Sequence, residues 1–189
     1  MSNLFFELQD KAHADLLLGN IAACESIFER AMRSLPDSPF HIALSLAFAN
    51  PPEDVGNYFD AIFEAESKKY SIGAAYTETN GFDINPDRWF CDVFTFKTYG
   101  GREDYDWLSD WQSEGHEDFT LTGMERLQEV YASPAFQDPV YNDASCVSNL
   151  IVVTRFQRLV KSAIPYMKNL HFPLLVTSHD FDFIAEFKP

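Results

Sequence analysis

From Leu4 to Leu18 the apolar residues Leu4, Phe5, Leu8, Ala12, Leu16 and Leu17 recur mostly at three- and four-residue steps, the spacing of one helix face. Gly19-Asn20 supplies a stop and restart. Ile21, Cys24, Ile27, Phe28, Ala31 and Leu35 then mark a second helix that ends before Pro36. So short a connection folds the pair back as an antiparallel hairpin. Between His41 and Ala49 the pattern supports two readings. Ile42, Leu44, Leu46 and Phe48 alternate as a strand would, the alanines suit a helix, and Pro51-Pro52 ends either one. Glu53 to Glu66 predicts a helix with Val55, Tyr58, Phe59, Ile62 and Phe63 as its stripe and acids in its first turn.

Beyond this point the period changes from helical to alternating. Tyr70–Thr77 and Trp89–Tyr99 predict two strands, with Asn80-Gly81 as a turn signal between them and Gly100-Gly101 closing the second. A helix starts at Thr122, where Thr122 and Glu125 have capping-box spacing. A longer helix runs from about Asp143 to Ile164, turning Val147, Leu150, Ile151, Phe156, Leu159, Val160 and Ala163 inward. Leu174–Ser178 and Phe181–Phe187 predict a terminal hairpin around His179-Asp180, with Phe181, Phe183, Ala185 and Phe187 on one face. Helices, a strand pair, helices and a second strand pair do not make a repeating βαβ pattern. The expected fold class is α+β, an N-terminal helical hairpin and further helices packed on a mainly antiparallel sheet. No linker-like stretch divides residues 1–189, which predicts a single domain.

The run Leu16-Leu17-Leu18-Gly19-Asn20, followed by Cys24, Phe28, Ala31 and Pro36, resembles one tetratricopeptide repeat. The resemblance covers residues 4–36 only. It implies a hairpin in which the Gly-Asn turn precedes the second helix, small and aromatic residues pack between the helices, and proline closes the unit. Residues 38–70 would place Ala65 well, but they lack the turn glycine and carry Pro51-Pro52 mid-unit. One repeat cannot bury its own faces, so the resemblance implies repeat-like packing of one hairpin, not a peptide-binding array.

Charge narrows the partners. Twenty-nine acidic residues face fourteen basic ones, a formal charge of −15. That field disfavours nucleic acid and anionic membrane surfaces and leaves basic proteins, cations and cationic small molecules as partners, or serves solubility alone. An aromatic share of 15%, with 18 Phe, favours a ring-built core and aromatic-lined grooves. Cys24, Cys91 and Cys146 are odd in number and far apart, which suggests a reducing compartment. The N-terminus carries a charge before any long apolar run, and no stretch approaches the roughly 18 apolar residues of a membrane span. The expected location is cytoplasmic.

The unusual segment is Arg102–Asp118, in which seven acids accompany one arginine. Trp107 and Trp111 are spaced i, i+4, one face of a helix if a helix forms there. Glu103, Asp104, Asp106, Trp107, Asp110 and Trp111 are therefore the candidate residues for binding a basic protein partner, through cation–π contact and electrostatic steering. The competing reading makes both Trp rings core anchors and the acids a solvated loop. Charge is also uneven: Glu103–Asp138 holds ten acids and only Arg126, whereas Ala144–His179 holds no acid. These regions pair within the fold, or else Arg155, Arg158 and Lys161 form an anion-binding strip.

Other chemistry is thinly marked. The five histidines lack metal-site spacing, and His179-Asp180-Phe181-Asp182 offers an imidazole and two carboxylates on a turn. No phosphate-cradle, dinucleotide or nucleophile-elbow motif occurs, so no metal, cofactor or catalytic residue is assigned. Two alternatives to an interaction protein of inhibitor or immunity type stay open. One is a small enzyme or ligand-binding domain with a pocket between sheet and long helix, using Cys91 with His116 or His171. The other is a docking scaffold built on the N-terminal hairpin.

Overall fold

A computed structural model describes residues 3–80, 82 and 85–188. Two helices, α1 (Asn3–Leu17) and α2 (Ile21–Ser34), form the expected hairpin, and Gly19 between them adopts φ +69°, a conformation other residues rarely accept. After them come α3 (Pro52–Ser67), β1 (Ala74–Thr79), β2 (Phe90–Phe96), β3 (Phe119–Thr120), α4 (Glu125–Tyr131), α5 (Asn142–Ala163), β4 (Leu174–Ser178) and β5 (Ala185–Phe187). The fold is α+β, helices packed on a five-stranded sheet of order β3-β2-β1-β4-β5. Three of the four pairings are antiparallel, and β1·β4 is parallel, reached by the crossover through α5. No helix of the described residues is long and apolar enough to cross a membrane.

α5 is the axis of the core. Its inward residues from Val147 to Ala163 are buried, and so are Ser145, Ser148, Thr154 and Gln157. Three of these polar groups have partners close by, Ser148 taking a bond from the Tyr131 hydroxyl. Thr154 Oγ1 donates to the carbonyls of Leu150 and Ile151, and Gln157 Nε2 donates to those of Val176 and Phe183, 3.1 and 2.7 Å away. Gln157 thereby joins α5 to β4 and to the chain that follows it.

Arg155 does the same on the opposite side. Its side chain is 4% exposed; Nε and Nη2 donate to Glu25 and Glu29 of α2, each at 2.8 Å. Its Nη1 donates to the carbonyls of Ala43 and Leu46. Arg158 also meets Glu25 at 2.8 Å, and Lys161 Nζ donates to the Gly19 carbonyl. The anion-binding strip is therefore corrected: Arg155 is buried, and the exposed Arg158 and Lys161 are each already bonded to an acceptor of the fold. Their carboxylate partners lie on α2, not in the acidic stretch Glu103–Asp138. The guanidinium also settles His41–Ala49, which is a 3₁₀ helix over Pro39–Ser45 followed by extended chain. Arg155 donates to that irregular backbone's carbonyls, so neither a helix nor a strand is required there.

Other boundaries shift for local reasons. β1 begins at Ala74, not Tyr70, because the Lys69 and Tyr70 N–H groups still bond the Glu66 carbonyl at the end of α3. β2 ends at Phe96, not Tyr99, because its partner β1 starts at Ala74, directly opposite Phe96. α4 starts at Glu125, not Thr122: Gly123 has φ +97°, and the Glu125 carboxylate takes the Gly123 N–H. Of the Asn80-Gly81 turn, Gly81 lies outside the described residues. The Asn80 side chain closes this connection by bonding Arg88 and Phe90 backbone.

Register divides the sheet into two faces. Ala75, Thr77, Val93, Cys91, Leu174 and Val176 point to the helices, and the apolar ones among them belong to the main core. Ala74, Tyr76, Glu78, Asp92, Phe94 and Phe96 point the other way. Among the described residues no α-helix covers that second face. A strap of irregular chain does.

Candidate functional site

The strap is the acidic segment singled out in the sequence. It leaves β2 through Tyr99 and Arg102, which both donate to the Glu186 carboxylate of β5, the Tyr99 hydroxyl at 2.7 Å. That carboxylate is 1% exposed. Burial alone would raise its pKa, but hydrogen bonds from Tyr99 and Arg102 outweigh this and lower it. The Tyr99 phenol is pushed up to about 12, by burial first and by Glu186 second. Further on, Gln112 and Ser113 bond the backbone of Thr95 and Lys97, closing the open edge of β2. His116 Nε2 lies 2.7 Å from Glu66 Oε1, Lys69 bridges Glu66 to Glu114, and the Tyr58 hydroxyl donates to the Glu117 carbonyl. Glu66 is wholly buried; hydrogen bonds from Lys69 and His116 overcome its desolvation and hold its pKa low. Both ends of the strap are thus fixed.

The two tryptophans sit between these ties, and no α-helix presents them. Asp106–Ser109 is a single 3₁₀ turn, so the expected shared helix face is corrected. They share a sheet face instead. Trp107 packs edge-on against Phe96 at 4.8 Å and Tyr99 at 5.6 Å, and Trp111 lies 5.6 Å from Phe94, two residues along the same side of β2. Their environments differ. Trp107 is half-buried and donates Nε1–H to the Gly101 carbonyl at 3.1 Å, an anchor. Trp111 is 53% exposed, unusual for the residue with most apolar area to hide. Glu103, Asp104, Asp106 and Asp110 are all exposed along the strap's outer side. Asp104 Oδ1 accepts the Asp106 N–H at 2.8 Å, so one acid shapes the turn that displays the next.

Beside the strap, a cleft of about 660 Å³ opens on the sheet. Tyr76 and Phe94 make its floor, Tyr105, Leu108 and Trp111 form the strap wall, and His179, Asp180, Phe181, Asp182 and Ile184 form the other. Glu78, Asp180 and Asp182 bring three carboxylates to it, and among the described residues lining it there is no lysine or arginine. Glu78 is oriented by two neighbours: the Tyr76 hydroxyl donates to Oε2 at 2.5 Å, and His179 Nδ1 lies 2.9 Å from Oε1. His179 Nε2 faces Asp180 Oδ2 at 3.7 Å. The hydrogen bond to Glu78 raises the His179 pKa above its ordinary 6.5, and burial opposes it. Burial, then the Glu78 charge, raises the Tyr76 phenol. Across the strand pair Glu78 stands opposite Asp92, whose pKa burial and the charges of Asp118 and Glu78 push upward. Two like charges in register destabilise a ladder, so this face stores negative potential.

Tyr76, Glu78 and Phe94 were not among the residues the sequence put forward as a site, and His179 and Asp182 were noted only as an imidazole and a carboxylate on a turn. The available signal was the alternation in β2, which sets Phe90, Asp92, Phe94 and Phe96 together on one face. A carboxylate among phenylalanines marks a face that is neither core nor fully solvated. The parallel pairing that brings Glu78 beside Thr177, and so near His179, has no local signal.

The remaining candidates are occupied or buried. Cys91 is fully buried, and desolvation foremost pushes its thiol up, so it is a packing group rather than a nucleophile. His116 is held by Glu66, and His171 is exposed. The described cleft opens on the face away from the long helix, not between the sheet and that helix. No group of three or more His, Cys, Asp or Glu side chains placed to hold a metal occurs among the described residues. No protein-family model, curated protein or solved structure matches the chain.

Proposed function

We propose that the protein binds a basic protein partner through the strap and the cleft beside it, in the manner of a cytoplasmic inhibitor or immunity-type protein. The observation that carries this reading is continuity. The segment whose outer side displays Glu103, Asp104, Asp106 and Asp110 is the same segment whose inner side walls the cleft with Trp111. A partner's basic surface is steered by the exposed acids, while the aromatic wall supplies desolvated contact area. The acids are displayed on chain that is tied down at both ends, so little order has to be acquired on binding.

The test is salt and charge reversal with a basic partner captured on the immobilised protein. The partner is retained at about 50 mM salt and shed at about 500 mM, as screening predicts. The double variant Asp106→Lys, Asp110→Lys retains none of it at either salt. A partner held equally at both salts, or by the reversed variant, sinks the reading.

A further inference from the structure

Resting on that reading, we infer that the cleft seats the side chain of an arginine carried on an extended segment of the basic partner. Three features select this occupant. The first is the sign of the lining: Glu78, Asp180 and Asp182 face the cleft, and no lysine or arginine among the described lining residues neutralises them. A desolvated anion or a neutral polar group gains nothing there, whereas a cation relieves the mutual repulsion of Glu78 and Asp92.

The second feature is the ring arrangement. Tyr76 and Phe94 lie 6.1 Å apart on the floor, tilted by 37°, and Trp111 stands against Phe94 at 63° with half of its surface open. Aromatic surface is therefore presented to the cleft, and a guanidinium is planar, weakly hydrated and able to stack on rings. A lysine ammonium keeps its water more tightly and has no plane to stack. Glu78 completes the site at the polar end. Each of its oxygens already accepts one bond from the protein, which fixes the carboxylate plane and leaves further lone pairs for the fork of N–H donors that arginine carries.

The third is size. About 660 Å³ exceeds what one side chain fills, so room remains for the residues on either side of the arginine. That favours a segment of chain over a free guanidinium compound.

Two fluorescent peptides of equal length and charge, one with arginine and one with lysine at the same positions, are titrated into the full chain at about 50 mM salt. The arginine peptide binds about tenfold more tightly than the lysine peptide, in keeping with stacking of a desolvated guanidinium. Trp111→Ala, at an exposed position, and Glu78→Gln, of unchanged shape, each bring its affinity down to the lysine level. N-acetyl-arginine amide competes only weakly. Equal affinity for the two peptides, unmoved by Trp111→Ala but lost with Asp106→Lys, Asp110→Lys, overturns the arginine seat and leaves the acidic-surface reading standing. Competition by the free amide as strong as by the peptide overturns the peptide occupant. Failure of both peptides to bind overturns the seat and the surface together.

Discussion

The two faces of this sheet are built from adjacent residues and behave as different materials. On the helix side, Cys91, Val93, Leu174 and Val176 are buried in the main core, and Thr77 and Thr79 hide their hydroxyls in bonds to the Asp92 carbonyl and to Ser178. Every polar group named there has a local partner, and the thiol at its centre is inert. On the strap side, one residue along each strand, the same backbone carries Tyr76, Glu78, Asp92 and Phe94. Carboxylates there stand opposite each other, and an indole is left half in water. Stability is concentrated on the first face and unspent interaction on the second. Binding sites tend to need just such a rigid scaffold beneath an incompletely satisfied surface.

The largest effect tests the helix side. Removing Arg155 leaves the carbonyls of Ala43 and Leu46 without their donor and the buried Glu25 carboxylate with Arg158 in place of two cations. Losing one member of a buried ion pair typically costs about 3–5 kcal/mol, and Arg155→Ala is expected to lose that much in urea denaturation. Below its lowered midpoint the variant should bind a basic partner as the parent does. A cost under about 1 kcal/mol would mean that water replaces the guanidinium, and that the helix side is less closed than described.

A middle-sized effect tests whether the strap is held as firmly as its contacts imply. A Cβ placed on Gly100 would come 2.3 Å from Trp107 Cδ1, so the indole could not stay on Phe96. Gly100→Ala should cost about 1–3 kcal/mol, the range for an overpacked site, and shift tryptophan emission to the red as the ring enters water. An unchanged spectrum and midpoint would show the strap moving as a unit at no cost, which would weaken the case for a preorganised wall.

How much of this was legible in the sequence follows the range of the interactions. The helix hairpin, α5 and β4 were readable because their residues carry a period of their own, punctuated by Gly19-Asn20 or by a run such as Leu174-Leu175-Val176. The strap was conspicuous through its acids and its tryptophans, yet its conformation was not. Trp107 and Trp111 look helical by spacing, and the strap's course is set by Glu186, Glu66 and the β2 edge, residues far away in the chain. The cleft was hidden for the same reason. Tyr76 and Glu78 meet His179 only through a parallel pairing of strands about a hundred residues apart, and such a register leaves no mark on either strand alone. Arg155 shows the reverse error: a three-residue spacing of cations suggested an exposed strip, when Glu25 and Glu29 had drawn the first of them inside.

The smallest effect is also the one that most sharply separates the faces, because it is a titration that the helix side cannot show. His179 is faced by Glu78 and Tyr76 from β1 and by Asp180 and Asp182 from its own turn. Its hydrogen bond with Glu78 raises its pKa above 6.5 in the folded chain. A group that binds its proton more tightly when folded stabilises the fold fully below its unfolded pKa. That contribution is lost as pH rises through the higher folded value. Parent and His179→Gln, compared by denaturation from about pH 5.5 to about pH 8.5, should therefore differ most at the acid end and converge at the alkaline end. The difference should be small, since the imidazole is 44% exposed and water screens the pair. Affinity for a basic peptide should run the opposite way. The imidazolium occupies the same cleft as the arginine and repels it, so binding tightens as His179 loses its proton, and His179→Gln flattens the profile. Opposite slopes for stability and for binding, both abolished by one substitution, would place the peptide against His179; parallel slopes would place it elsewhere on the strap.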